Sequence, residues 1–346
     1  MSYRVRLPDT GEAFEADDLE SVLRSALIAG VKLPSDCRLG GCGTCRIRLL
    51  EGSVEYDEEP MALSPEEAAD GFALACQARP TSDLVIQVAS TALADPARHV
   101  AVIREVRPLT SNVIHLQLEV PDIPVDYLPG QYMKVHLDDG ATKNFSMASP
   151  PSGGAVDFHV RRISGGRFTD GLLKQLRASD TLNVELPLGT FFLRRQDYRP
   201  LLMVATGTGL APIKSILESL LDDPDCPPVT LYWGMRTPAD LYLHDEIQAW
   251  SGRLCDFKYV PVLSRADGSW AGRRGHVQQA VVEDFDDLSA HAIYLCGSPN
   301  MIAEARRTFS ARGASMAHLY ADGFNFQHED MPGNKTRARG NLAAAA

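Results

Sequence analysis

The stretch CRLGGCGTCRIRLLEG, residues 37–52, decides how this chain is read. Three of the seven cysteines, Cys37, Cys42 and Cys45, fall within nine positions and are packed among glycines. Thiols crowded in this way serve as a disulfide, a zinc site or an iron–sulfur cluster. The opening residues, MSYRVRLPDTGEAFEADD, contain no apolar signal-peptide core. The most apolar runs, such as LLMVAT at 201–206, fall far short of the roughly 20 residues that cross a bilayer. The chain therefore reads as cytoplasmic, with no membrane contact. Thiols stay reduced in that compartment, which removes the disulfide.

The spacing separates the other two. Cys37, Cys42 and Cys45 form C-x4-C-x2-C, and Cys76 lies 31 positions further on. Structural zinc usually draws on two knuckles of two ligands each. Here three ligands share one loop and the fourth comes alone from a distant segment, the plant-type [2Fe–2S] spacing. Four thiolates leave the cluster negatively charged, so the loop must turn main-chain amides toward the sulfurs. Gly40, Gly41 and Gly43 permit the tight turns this requires. Residues 1–90 resemble a plant-type ferredoxin of the β-grasp fold over their whole length. The resemblance implies that Cys37 and Cys42 hold one iron, and Cys45 and Cys76 the other. Cys226 and Cys255 lack ligand spacing and read as buried structural thiols.

The chain has 346 residues, enough for two or three domains. Its net charge of −11 is uneven: residues 1–90 carry 8 basic and 16 acidic side chains, and the remainder is nearly balanced. A nucleic-acid binder would show the reverse. The acidic first quarter is a solvated face or a surface that steers a basic partner.

Residues 2–35 read as two alternating strands followed by a helix over 19–29, capped by Asp17 or Asp18 and stopped by Gly30. A short helix follows Ser64 and Pro65, then Cys76, and a closing strand at 83–89. A polar segment at about 90–99 reads as a linker. From 100 to about 193 the pattern is β, with one helical interruption at 168–176, which suggests an antiparallel barrel. From 200 onward strands and helices alternate, which indicates a parallel α/β sheet. The fold class is thus multi-domain α+β and α/β. A β-grasp ferredoxin domain spans 1–92, an antiparallel β-barrel domain 98–197 and a parallel α/β domain 198–326. The tail 327–346 has no periodicity and reads as disordered.

Five fragments occur in order: LPGQYMKV at 128–135, KNFSMAS at 143–149, GGRFTDGLL at 165–173, GTGLAPIKSIL at 207–217 and YLCGSPNMI at 294–302. Together they resemble the ferredoxin–NADP⁺ reductase superfamily over about 100–324. The family's flavin motif, Arg-x-Tyr-Ser, falls on Lys143, Asn144, Phe145 and Ser146. Lys143 keeps the positive charge without the planar fork, and Phe145 keeps the ring without the hydroxyl. By resemblance Ser146 lies near the reactive flavin nitrogen. Gly166, Phe168 and Thr169 place main-chain amides at a helix start, a cradle for a pyrophosphate that favours FAD over FMN. Arg161 is a second candidate cation. Gly207, Thr208 and Gly209 let the backbone approach a dinucleotide, and Gly234 and Arg236 end a neighbouring strand. The resemblance puts Cys296 and Gly297 beside the nicotinamide, Phe324 near the flavin, and Ser264 and Arg265 near the ribose. The nucleotide is read as NADH, with NADPH as the alternative.

A nicotinamide delivers two electrons as a hydride, a flavin passes them on singly, and a [2Fe–2S] cluster takes one at a time. No side chain is nominated as a general acid or base. The layout resembles reductase components of Rieske-type aromatic-ring-hydroxylating dioxygenases, particularly the terephthalate dioxygenase branch. That implies a terminal oxygenase as electron acceptor. The chain is taken as a monomer by default, since its residues carry no sign of the oligomeric state. Reductases of soluble di-iron monooxygenases and of 3,6-dideoxyhexose biosynthesis share the layout. A redox-sensing module without turnover is the reading from another class, and the nicotinamide motifs speak against it.

Overall fold

The computed structural model describes residues 2–324 apart from 36–37, 39, 41–42, 61, 64, 89–95, 122–125 and 196. Cys37, Gly41, Cys42, Ser64, most of the expected linker and the whole tail therefore lie outside the described residues.

Three larger sheets divide the chain. In the first, Ser2–Leu7 and Glu12–Asp17 pair antiparallel with Val5 opposite Phe14. Their alternation buries Val5, Leu7, Phe14 and Ala16 on one face. Leu84–Val88 lies between Ser2–Leu7, to which it is parallel, and Arg46–Glu51, and Phe72–Leu74 closes the other edge. This is the mixed β-grasp sheet. Its helix is Val22–Ile28, which buries Val22, Leu23 and Ala26. The helix starts later than expected because Ser21 is the cap, its Oγ accepting from Arg24 N at 3.3 Å. Asp17 instead accepts from Leu19 N at 2.8 Å and closes a turn before the helix. Gly30 does follow the helix, at φ +76°.

The second sheet has six antiparallel strands, running in space from Thr142–Ser146 through Tyr132–His136, Thr181–Leu188, Ala97–Pro108 and Val113–Glu119 to Ala155–Arg161. It closes on itself where Met147 bridges Phe158 and Ala148 N donates to Asp157 O at 2.7 Å. Phe158, Phe168, Met147 and Val135 fill the barrel. The strand Ala97–Pro108 takes up the end of the expected linker. The expected helix at 168–176 is a π-helical turn, Arg167–Leu172, followed by one α turn, Leu173–Gln175.

The third sheet is wholly parallel. Leu201–Thr206 lies inside it, an unbroken apolar run because both faces are covered by helices. The sheet grows one way through Val229–Met235, Lys258–Leu263 and Arg273–Arg274, and the other way through Ala292–Gly297 and Leu319–Gly323. The last strand of each arm is absent from the periodicity. Arg273–Arg274 is two residues long, and Leu319–Gly323 is held by edge pairing that sets Asp322 opposite Cys296. Between Val229–Met235 and Lys258–Leu263 the chain forms little α-helix. Thr237 and Asp240 form a capping box on the 3-10 turn Pro238–Asp240, and the α-helix is only His244–Gln248.

Candidate cofactor sites

The strand order of the parallel sheet reverses between Leu201–Thr206 and Ala292–Gly297, which opens the crevice where such sheets bind ligands. Gly207–Gly209 forms a 3-10 turn there and leads into helix Leu210–Glu218. A Cβ on Gly209 would lie 2.3 Å from the Cys296 carbonyl oxygen and 2.8 Å from Gly297 Cα. Only glycine lets the two loops meet. Gly297 sits at φ +129°, and a Cβ on it would lie 2.3 Å from Thr206 Oγ1. That hydroxyl accepts from Ser298 N at 2.9 Å, and Trp233 Nε1 donates to Gly207 O at 3.0 Å.

Other expected residues converge on the same edge. Gly234, next to the end of its strand, packs against Thr206 and Val277, and Thr208 is buried in the 3-10 turn. Arg265 N donates to Arg236 O at 2.8 Å, which joins two strand ends, and Ser264 N reaches Met235 O. Arg236, Ser264 and Arg265 are exposed. Phe324 N donates to Gly297 O at 2.8 Å. The Cys296 thiol is fully buried, and burial pushes its pKa well up. It is a neutral packing group whose carbonyl, more than its sulfur, shapes the crevice.

The barrel faces this crevice. Burial and then the Arg236 charge lower the pKa of Arg161, and Asp240 opposes them. Lys143, Asn144, Phe145 and Ser146 lie on the strand paired with Tyr132–His136, Ser146 opposite Tyr132. The Phe145 ring is 5.1 Å from Phe168. Phe168 is itself inside the barrel, with its ring in the core. A Cβ on Gly166 would lie 2.6 Å from Thr169 Oγ1, and that hydroxyl accepts from Ile163 N at 3.2 Å. The bare Gly166 and the first amides of the turn suit a phosphate.

Two residues that the motifs carried without a role join the barrel to the glycine-loop helix. Lys214, buried, donates to Ala148 O at 3.2 Å and pairs with Glu218 at 2.6 Å. Ser215 Oγ donates to Ser149 O at 2.6 Å. Further along, Tyr242 OH and His159 Nδ1 are 3.2 Å apart. A lysine inside the apolar run APIKSIL was the available signal, because a buried ammonium needs acceptors.

At the ferredoxin sheet, Cys45 is buried and Cys76 half-buried. Tyr56 and Cys76 both pack against the core cluster that holds Cys45, and the Tyr56 hydroxyl accepts from Leu74 N at 3.0 Å. Gly40 and Gly43 have φ of +70° and +77°. A Cβ on Gly40 would strike the Gln77 side chain at 2.3 Å. The same Cβ would approach Pro60 at 3.1 Å, so the acidic stretch 55–59 borders the cysteine loop. Cys255 is exposed, contrary to expectation, while Cys226 is buried. Cys255 lies beyond the packed strands, in the turn before Lys258–Leu263. No helix of the described residues is long and apolar enough to cross a membrane.

A cysteine-loop ferredoxin sheet, a flavin-type barrel and a dinucleotide crevice define an NAD(P)H-dependent iron–sulfur flavoprotein oxidoreductase. Comparison with known families agrees. A 2Fe-2S iron-sulfur cluster binding domain matches residues 5–81, an oxidoreductase FAD-binding domain 101–193 and an oxidoreductase NAD-binding domain 203–307. The chain belongs to the family of reductases that join these three domains. Terephthalate 1,2-dioxygenase, reductase component 1, of Comamonas sp is 35% identical over 94% of this chain and 98% of its own length. The CDP-6-deoxy-L-threo-D-glycero-4-hexulose-3-dehydrase reductase of Yersinia pestis is 32% identical over 94% of this chain and 99% of its own. Among solved structures, the Amycolatopsis cytochrome P450 reductase GcoB superposes with a TM-score of 0.70 at 31% identity, covering 93% of this chain and 98% of that one. [2Fe–2S], FAD and a nicotinamide nucleotide are therefore its cofactors.

Proposed function

We propose that the chain is the reductase component of a terminal oxygenase, carrying electrons from NADH through FAD and [2Fe–2S] to a Rieske-type aromatic-ring dioxygenase. The observation that supports this most is the end-to-end likeness to the terephthalate dioxygenase reductase. When bound, the flavin accepts a hydride and the cluster carries single electrons. The chain's own residues bind and orient. Lys143, Ser146, Arg161 and the amides from Gly166 to Thr169 hold FAD, with Asn144, Phe145 and Phe324 flanking it. Gly207, Thr208, Gly209, Gly234, Arg236, Cys296 and Gly297 form the nucleotide crevice, with Ser264 and Arg265 at its ribose end. Cys37, Cys42, Cys45 and Cys76 ligate the cluster.

Thiol ligation suits a reducing compartment, so the protein works in the cytoplasm. The acidic stretch beside the cysteine loop suits an acceptor with a basic docking face. Reconstitution tests the acceptor: NADH-driven ring hydroxylation with a Rieske dioxygenase, but not with a di-iron hydroxylase, is the expected outcome. The converse would transfer the reading to di-iron monooxygenases. The likeness to the Yersinia reductase keeps a sugar dehydrase as the second acceptor to test. Rapid NADH-driven reduction of ferricyanide excludes a sensor without turnover. For the nucleotide, a higher kcat/KM with NADH than with NADPH is the expected outcome. An NADPH preference abolished in Arg265→Ala would reverse that choice.

A further inference from the structure

The ferredoxin sheet meets the parallel-sheet domain through three charges that no motif predicts. Glu67, on the short helix Pro65–Ala69, is completely buried. Arg306, on helix Pro299–Ser310, is also buried and donates through Nη1 to Glu67 Oε1 at 2.9 Å and Oε2 at 3.1 Å. The same nitrogen donates to Ala62 O at 2.8 Å. Arg46, directly after Cys45, pairs with the same Glu67 oxygen, Oε1, and its Nη1 reaches Met316 O at 3.3 Å. A Cβ on Gly43, inside the cysteine loop, would lie 3.2 Å from Arg306 Nη2.

A carboxylate without solvent access is retained only where its partners compensate its charge. Both partners here are guanidinium groups, and one comes from another domain. The contact is therefore far more orientation-specific than an apolar patch. Its two ends are also informative. Gly43 belongs to the cysteine loop, Arg46 opens the strand that follows it, and helix Pro299–Ser310 begins just after Gly297 at the nicotinamide crevice. We propose that Arg46, Glu67 and Arg306 form a buried charge clasp that fixes the cysteine loop against the nucleotide domain. The clasp sets the rate of electron passage from flavin to cluster without entering hydride transfer. These are positioning residues. This rests on the reading that FAD feeds the cluster: NADH reduces the flavin by two electrons and releases NAD⁺, and one electron at a time then reduces the cluster.

The test uses the full holoprotein carrying Glu67→Gln or, leaving the ferredoxin sequence intact, Arg306→Met. Stopped-flow absorbance separates flavin bleaching by NADH from cluster reduction, and small-angle scattering reports the domain arrangement. Flavin bleaching is expected within about twofold of wild type, cluster reduction slowed at least about tenfold, and the radius of gyration increased. Cluster reduction at the wild-type rate in both variants would overturn the clasp. Slowed reduction with an unchanged scattering profile would also overturn it, by placing the effect on the cluster's own potential. A wild-type protein whose cluster stays oxidised under NADH would refute the underlying electron path instead.

Discussion

The Lys214 ammonium donates to the Ala148 carbonyl at 3.2 Å, across the boundary between the barrel and the parallel sheet. Ala148 lies two residues after Ser146, and Lys214 lies five residues after Gly209. One hydrogen bond thus ties the strand end expected to hold flavin to the helix expected to hold the nucleotide. Hydride transfer needs reacting groups held within about 3–3.5 Å, so this tie has consequences for rate as well as for stability.

Replacing Lys214 with Met removes the donor and leaves Glu218 half-buried beside Glu246 without its main counter-charge. A loss of about 1–3 kcal/mol is expected from the unsatisfied groups. Flavin bleaching by NADH should slow as well. Denaturant unfolding and stopped-flow absorbance measure the two effects, and Lys214→Arg should recover most of the stability.

Cys45→Ser and Cys76→Ser should each abolish the cluster. Iron content and the cluster's visible absorbance are lost, while NADH still bleaches the flavin. Cys255→Ser, at an exposed position, should leave iron, flavin and turnover unchanged. Iron assay and absorbance spectra decide this.

Gly209→Ala and Gly207→Ala should differ. Gly207 has φ +58° and open space around it, so its cost is conformational, about 1–2 kcal/mol. Gly209→Ala drives a methyl into the Cys296 carbonyl and must shift backbone. Its larger effect should appear in KM for NADH, because the crevice itself is displaced.

His159 is buried, and burial followed by the nearby Lys214 charge holds its pKa down at about 3, against an ordinary 6.5. His115 and Arg107 act in the same direction and Asp157 opposes them. In the unfolded chain this imidazole takes up its proton near 6.5. Between the two values the unfolded state binds more protons, so folding weakens as pH falls, by about 1.4 kcal/mol per unit from this group. Above 6.5 it contributes no slope. His159→Gln, which can still bond Tyr242, should flatten the acid side of a denaturation-versus-pH curve.

The local features of this molecule were legible in its residues, and the features between domains were not. Cysteine spacing, the Gly207–Gly209 turn and the strand alternation of Val5 and Phe14 depend on neighbours in sequence. The helix cap falls on Ser21 and not on Asp17 or Asp18 because all three are good caps, and the choice depends on the turn that Asp17 closes with Leu19. Leu319–Gly323 becomes a strand through its pairing with Ala292–Gly297, which no local pattern records. The Lys214–Ala148 and Arg306–Glu67 contacts join segments far apart in the chain. Their sequence signal was a charged residue inside an otherwise apolar or helical run. Such a signal identifies a residue needing a partner but does not name that partner.

The most direct test of the electron path is an anaerobic NADH titration of the purified protein, followed by low-temperature EPR. Flavin bleaching accompanied by a rhombic signal of the reduced [2Fe–2S] cluster is the predicted result. Full bleaching with no cluster signal would contradict it, and would mean that electrons entering at the nucleotide crevice do not reach the cysteine loop.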